Sequence, residues 1–465
     1  MILHWFRRDL RLADNPALFA AHRDGAGGVL PVFILSDWRG SHRWTGPARQ
    51  ETLCGNLRTL THGLERLGSR LVVRRGDAVA ELERLLHETR ADALYFNRSP
   101  DPAGRALEKR VETMARRHGV RVQSFHEVTV LEPETVLTQS GQPFRVFTPY
   151  SRAWMRLETP APLPSPGRFR PVPDPVTSLP LPTLADWGLV SSLRLPESGE
   201  AAARRRMEAF FADPVFHYAA ERDVPALDAT SRLSADLRWG ALSPRQLVQR
   251  CREALASATT ATRRNGPSKF LGELIWREFY LAILWHWPEV LEHEFQPRFR
   301  GLRWQKPGKT FSRWCEGTTG FPIVDAGMRQ LAATGWMHNR VRMIVAMFLT
   351  KDLHLDWRLG EAFFLRHLED GEIASNNGGW QWSAGTGADA APYFRIQNPW
   401  AQTARFDPEG EYIRTWVPEL RDTPASALAK APAPGVRIAP GYPPPIVDHA
   451  RERDVTLDLY RRSLH

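Results

Sequence analysis

The chain is poor in several features that would mark a secreted, membrane or metal-held protein. It has three cysteines, Cys54, Cys251 and Cys315, far apart and without metal-ligand spacing. That excludes a disulfide framework and a zinc cluster and fits a reducing compartment. No window has the apolar length of a membrane helix. The first residues, Met1-Ile2-Leu3-His4-Trp5-Phe6-Arg7-Arg8-Asp9-Leu10-Arg11, give a short apolar run before their charges, the reverse of a secretory signal. Arg7-Arg8 precedes no apolar stretch, so twin-arginine export is excluded too, and a cytoplasmic protein is expected. Internal repeats are absent, and no G-x-G-x-x-G follows the first apolar run, which removes a dinucleotide fingerprint. Acidic residues are outnumbered, 52 against 62 Lys and Arg, for a net charge of +10. The excess favours a polyanionic partner without naming one, and a merely solubilising basic surface is the plainer alternative.

What is present falls into two unlike halves. Ile2 to Phe6, Val29 to Leu35, Leu71 to Arg74, Ala93 to Phe96 and Val120 to Ser124 read as short strands. Ala48 to Leu67, Ala78 to His87 and Gly104 to His118 read as helices between them. Such alternation specifies a parallel sheet covered by helices, with a ligand crevice at the carboxyl ends of its strands. Arg7, Arg8 and Arg11 are expected near that crevice. Nine prolines between Thr159 and Pro182 forbid a regular helix or central strand and mark an extended connector. Beyond about Glu200 helical periodicity takes over. The expected architecture is an α/β N-terminal domain over residues 1–130, a proline-rich linker over 131–199 and a larger all-α domain over 200–465.

Twelve of the 17 tryptophans lie beyond residue 230. Most are expected as core anchors, because an indole buries much area; those beside polar, ligand-competent groups are the informative ones. On a helix Glu273, Trp276, Arg277 and Tyr280 share one face, and so do Trp336, Asn339, Arg340 and Met343. Asn and Arg are seldom buried without partners, so both faces suit a stacked base and its phosphate better than a core. Arg342 points elsewhere, free to pair with a carboxylate such as Asp370. Thr230-Ser231-Arg232-Leu233-Ser234 gathers three hydroxyls and a guanidinium, a pattern able to grip a pyrophosphate; helix capping is its plainer reading. The densest segment is Asp370-Gly371-Glu372-Ile373-Ala374-Ser375-Asn376-Asn377-Gly378-Gly379-Trp380-Gln381-Trp382. Its glycines permit close backbone approach to a flat ligand, and its amides both donate and accept. Trp380 and Trp382 diverge and can serve two different partners.

This run, with Ala391-Pro392-Tyr393-Phe394-Arg395-Ile396-Gln397-Asn398 after it, resembles the flavin-binding segment of the DNA photolyase and cryptochrome family. The likeness extends from His4 to Leu420 and is nearest in kind to class I cyclobutane pyrimidine dimer photolyases. It implies FAD held by Tyr218, Thr230, Ser231, Arg232, Leu233, Ser234, Phe270 and Arg277, and by Arg342 paired to Asp370. Gly371, Glu372 and Asn376 complete that set, Asn376 lying beside flavin N5, where a neutral amide favours a reduced, anionic flavin. A flipped dimer is implied between Trp276 and Trp382, with Glu273, Asn339 and Met343 lining its pocket and Tyr280 on the same face. Arg222, Arg340 and Gln402 match residues facing the DNA backbone. The catalytic set carried over is Glu273, which stabilises the dimer radical anion, and the chain Trp380, Trp357 and Trp304, which photoreduces oxidised flavin. Only the resemblance makes these three a wire.

The implied activity is light-driven repair of dimers in double-stranded DNA by a monomeric carbon–carbon lyase. An antenna chromophore is expected in the N-terminal crevice, with folate, deazaflavin and flavin mononucleotide all open. A signalling cryptochrome of the same fold is the rival; the complete dimer-pocket set, and a chain ending soon after Trp416, favour repair. A single-strand-preferring cryptochrome is a narrower alternative. A non-photochemical nucleic-acid-binding protein would explain the charge and the aromatics, but not the run from Asp370 to Trp382.

Overall fold

The computed structural model describes residues 1–40, 42 and 44–463. Five parallel strands, β1 (Ile2–Phe6), β2 (Val29–Leu35), β3 (Val72–Arg75), β4 (Ala93–Asn97) and β5 (Arg121–Phe125), lie in the order β3-β2-β1-β4-β5. All five expected strands form, β3 and β5 one residue later than the sequence suggests. β1 and β4 are buried at every position, as central strands covered on both faces must be. β5 is more polar and stands at an edge. Four helices cover the sheet: α1 (Pro16–Asp24), α2 (Pro47–Arg66), α3 (Ala78–Thr89) and α4 (Pro102–Arg117). Asn15, Asp77 and Asp101 cap α1, α3 and α4 through their side chains. The strand order reverses between β1 and β4, so a crevice opens just past Phe6 and Asn97.

Arg7 and Arg8 line that crevice; Arg11 does not. Arg11 is fully buried, ion-paired with Glu127, and donates to Ala13 O (3.0 Å), Asp14 O (2.5 Å) and Gly240 O (2.9 Å). It turns inward because only there can its planar fork satisfy three carbonyls and a carboxylate at once. Gly240 belongs to the helical half. Its φ is +66°, and a Cβ there would lie 2.1 Å from Arg8 O, so the two halves meet where only glycine fits.

After β5 come α5 (Phe147–Trp154) and an extended stretch with a 3-10 turn at Leu184–Trp187. The helical half then runs α6 (Glu200–Ala212), α7 (Pro214–Glu221), α8 (Ser234–Trp239), α9 (Pro244–Ser257), α10 (Ala261–His286) and α11 (Lys309–Glu316). It continues through α12 (Pro322–Thr334), α13 (Asn339–Met347), α14 (Trp357–His367), α15 (Ile373–Ala384), α16 (Pro399–Phe406), α17 (Glu411–Trp416), α18 (Ala425–Leu428) and α19 (His449–Arg462). Two apolar cores fill it. One gathers Phe270, Leu274, Ile275 and Phe279 of α10 with Phe210, Phe211 and Tyr218; the other gathers Trp314, Trp357, Phe364 and Trp380. α15 contributes Ala374 to the first and Trp380 to the second, and so lies between them.

Candidate functional site

A cavity of about 610 Å³ opens in the helical half, walled by α7, α8, α10, α13, α14, α15 and the turns leading into α8, α13 and α15. Its wall includes Tyr218, Arg222, Thr230, Ser231, Arg232, Leu233, Ser234, Phe270, Glu273, Trp276, Arg277 and Tyr280. It also includes Asn339, Arg340, Arg342, Met343, Asp370, Gly371, Glu372, Asn376, Trp380 and Trp382. Of the residues that the resemblance assigns to flavin, dimer, DNA or electron transfer, Trp304, Trp357 and Gln402 alone stand off it. Gln402 lies on α16, whose Phe406 ring sits 4.6 Å beneath the Arg340 guanidinium.

The local folding explains the convergence. Glu273, Trp276, Arg277 and Tyr280 do share the cavity face of α10. Trp336 departs from the expected helical face: α13 begins only at Asn339, capped by the His338 side chain, and Trp336 reaches the wall from the preceding turn. There its ring lies 4.4 Å from the Arg232 guanidinium. Thr230 to Ser234 is the turn into α8, with Arg232 at φ +50°. Ser234 Oγ donates to Asp370 Oδ2 (2.6 Å), and Arg342 grips the same carboxylate with both Nη atoms (3.2 and 2.9 Å). Arg342 Nε donates to Met337 O (2.8 Å), which fixes the fork.

Glu372 caps α15, accepting from Ser375 N through Oε2 (2.8 Å), while its Oε1 is buried with no hydrogen-bond partner. Asn376 Nδ2 donates to Glu361 O (3.1 Å). Arg277 Nη1 donates to Val128 O (2.6 Å), and burial holds its pKa below the ordinary guanidinium value. Trp380 and Trp382, two positions apart on a helix, diverge as expected. Trp380 is 2% exposed and packs on Phe364 and Trp314; Trp382 is half-buried on the wall.

The two glycines of the run have separate jobs. A Cβ at Gly378 would lie 2.1 Å from the Tyr280 ring, whereas one at Gly379 would meet nothing within 4 Å. Gly379 therefore keeps the wall flat, while Gly378 lets α15 close on α10.

Sequence reasoning missed three participants. Phe147 of α5 stacks on Trp276 at 3.7 Å, covering one of its faces. Lys269 joins the wall one turn before Glu273; its i, i+4 spacing was the available signal. Arg238 lines both this cavity and a second one of about 290 Å³ in the crevice past β1 and β4. Its Nε donates to Gly371 O (2.9 Å), its Nη1 is buried without a hydrogen bond, and burial pushes its pKa well below the usual value. Arg49 donates to the same carbonyl at 2.6 Å and is pushed down to about 10, first by burial. On the crevice side Arg7 pairs with Glu108, and Arg8 donates to Ser99 (2.9 Å) and Asp101 (3.2 Å).

A deep cavity with a gripped carboxylate, a hydroxyl-rich turn and indoles on its wall, set in an α/β-plus-helical scaffold, has the chemistry to hold a flat, phosphate-bearing ligand. The known proteins agree. Residues 2–167 match the DNA photolyase family model, and residues 270–462 match the FAD binding domain of DNA photolyase. The chain is 41% identical to a deoxyribodipyrimidine photo-lyase of Agrobacterium fabrum, over 99% of this chain and 97% of the relative. A bacterial class III photolyase from Agrobacterium tumefaciens superposes with TM-score 0.90 at 39% identity, over 99% and 97% of the two chains. A Synechocystis cryptochrome superposes equally well, TM-score 0.90 over 99% of each chain, but at 26% identity. The chain belongs to the DNA photolyase family. Among its described residues no helix is long and apolar enough to cross a membrane.

Proposed function

We propose that the protein repairs cyclobutane pyrimidine dimers in double-stranded DNA by a light-driven reaction, as a monomer with FAD in the 610 Å³ cavity. One observation carries this reading: a single cavity gathers both the flavin-type residues and the dimer-type residues. The wall suits FAD on its own chemistry. The Thr230 to Ser234 turn offers hydroxyls, a guanidinium and the backbone N–H groups of a helix start to a pyrophosphate. Glu372 Oε1, buried, 3.9 Å from Arg8 Nη1 and without a hydrogen bond, is an acceptor for a ribose hydroxyl. Gly379 leaves room for a flat ring against α15.

Held by the Thr230 to Ser234 turn, Asp370, Glu372 and Asn376, a reduced FAD would supply the light-driven one-electron chemistry that opens the dimer. The chain's own residues do the rest. Trp276, braced from behind by Phe147, and Trp382 offer π-faces worth about 1–3 kcal/mol per base. That offsets an extrusion cost of about a few kcal/mol, least for a poorly paired lesion, as holds for photolyases among base-flipping enzymes. Glu273 accepts hydrogen bonds from the dimer and stabilises charge developing on it. Arg342 and Ser234 fix Asp370, and the Glu361 carbonyl tethers Asn376.

Trp380, Trp357 and Trp304 form the route that refills oxidised flavin. Trp380 lies over α14 at Gly360, where a Cβ would come within 2.0 Å of its ring, one turn from Trp357 on the same face. The 290 Å³ crevice is the seat of the antenna chromophore, whose class an extraction would decide.

The test is a duplex with one thymine dimer, incubated with reduced protein in blue light and in the dark. Restored thymines in the light alone are expected. A yellow protein that binds the duplex but restores nothing would replace repair with signalling. Glu273→Ala is expected to lower the repair yield about tenfold or more with flavin still bound; loss of flavin would show that Glu273 is misassigned.

A further inference from the structure

On the cavity rim five side chains of alternating charge form a row: Lys269, Glu273, Arg222, Asp223 and Arg340. Four of them line the cavity, and Asp223 stands just behind. Glu273 accepts a hydrogen bond from Arg222 Nη1 and lies 3.9 Å from Lys269 Nζ. Asp223 Oδ2 accepts from Arg340 Nη2 at 2.8 Å. The other oxygen, Asp223 Oδ1, is buried, makes no hydrogen bond and lies 3.7 Å from Arg222 Nε. Arg222 thus has two carboxylates within reach, one engaged and one waiting.

A guanidinium whose side chain is only 11% exposed must keep a compensating charge. While Arg222 holds Glu273, that carboxylate already has a charged donor, and a neutral pyrimidine N–H competes poorly for it. A movement of about 1 Å would bring Arg222 Nε to hydrogen-bond distance of Asp223 Oδ1 and satisfy the orphaned acceptor. Glu273 would then keep only Lys269 Nζ, which at 3.9 Å is beyond hydrogen-bond distance, and an occupant of the cavity supplies the donor it lacks. Each arrangement leaves one carboxylate oxygen short, so the balance between them is close, and the occupant tips it.

We propose that Arg222 switches from Glu273 to Asp223 when a dimer enters the cavity, which makes Asp223 a positioning residue that sets the preference for damaged over intact DNA. Intact duplex places nothing in the cavity and leaves Arg222 on Glu273, so it gains only backbone contacts. The inference rests on the dimer-repair reading above.

The experiment measures dark binding of FAD-loaded protein to a duplex with one thymine dimer and to the same duplex intact, with flavin absorbance as the check on folding. Asp223→Asn keeps the size of the side chain but cannot neutralise Arg222. The dimer preference is expected to fall about tenfold, while intact duplex binds as well or slightly tighter because the rim has lost an anion. In a Glu273→Gln background no ion pair has to break, so adding D223N should leave the remaining preference unchanged. Equal effects of D223N on both duplexes, or D223N and E273Q effects that multiply, would overturn the switch. A parent with no dimer preference would remove the repair reading and the switch together; a D223N variant that keeps the parent's preference would remove the switch alone.

Discussion

Gly378 and Gly379 are neighbours of identical chemistry with opposite reasons to be glycine, and substitution should separate them. Gly378→Ala drives a methyl into the Tyr280 ring, so a loss of about 1–3 kcal/mol in urea unfolding is expected. Gly379→Ala meets no atom and raises helix propensity, so stability should hold or rise by about 0.5–1 kcal/mol. Its methyl, however, occupies the cavity wall, so the flavin-to-protein ratio after purification should fall. Equal behaviour of the two variants in both measurements would contradict the assignment. The sequence marks both glycines as ligand-facing, because spacing within one helix does not reveal which face meets another. Arg342 with Asp370 was legible for the converse reason: a guanidinium turned away from an already polar face needs a carboxylate, and the adjacent acidic run supplies one. Phe147 on Trp276 was not legible, since nothing near either residue signals the other.

At the scale of elements the helices were readable and their ends less so. α10 begins at Ala261 and runs through the Gly266-Pro267 pair, which by itself signals a break. The proline falls early in the helix, and Gly266 is pressed against α7, where a Cβ would lie 2.1 Å from Val215 O. Packing there outweighs the local breaker signal. The same helix anchors the segment after β5 through Glu278, which is 3% exposed. Its carboxylate accepts from Val130 N (2.5 Å), Leu131 N (3.4 Å) and Trp154 Nε1 (2.6 Å). Burial outweighs these donors and raises Glu278 from 4.5 to about 7. The folded chain then holds this proton more tightly than the unfolded one between those values, so its contribution to stability declines as pH rises through that window and is flat above it. Glu278→Gln cannot titrate. The stability difference, parent minus variant, should therefore shrink by about 1–3 kcal/mol from pH 5 to pH 7.5. Denaturant midpoints at the two pH values check it, and a constant difference would mean that Glu278 stays ionised throughout.

At the scale of the molecule the periodicities specified an α/β half and a helical half, and both formed. What joins them was invisible, because each contact pairs residues from opposite halves. The joint is polar and buried: Leu10 N donates to Trp239 O (3.1 Å), Arg49 to Gly371 O, and Arg245 to Asp14. Arg49 and Arg238 meet on the Gly371 carbonyl between the crevice and the larger cavity, so this joint also fixes the two cavities relative to each other. Arg245 Nε reaches both Asp14 oxygens (3.0 and 3.1 Å), its Nη2 donates to Asp14 O (3.0 Å), and neither side chain is more than 4% exposed. Asp14 adopts φ +52°, a conformation that Asp and Asn tolerate better than most residues. Arg245→Ala leaves that carboxylate buried without its cation, which should cost about 3–5 kcal/mol. The double variant Asp14→Asn, Arg245→Met keeps the backbone conformation, removes both charges and fills the space, so most of the loss should return. Thermal unfolding read by flavin release and by far-ultraviolet dichroism distinguishes the cases. If the joint positions the cavities, flavin leaves R245A before the helices melt and leaves the double variant together with them. A double variant as weak as the single one would show that shape at the joint, rather than the uncompensated charge, carries the loss.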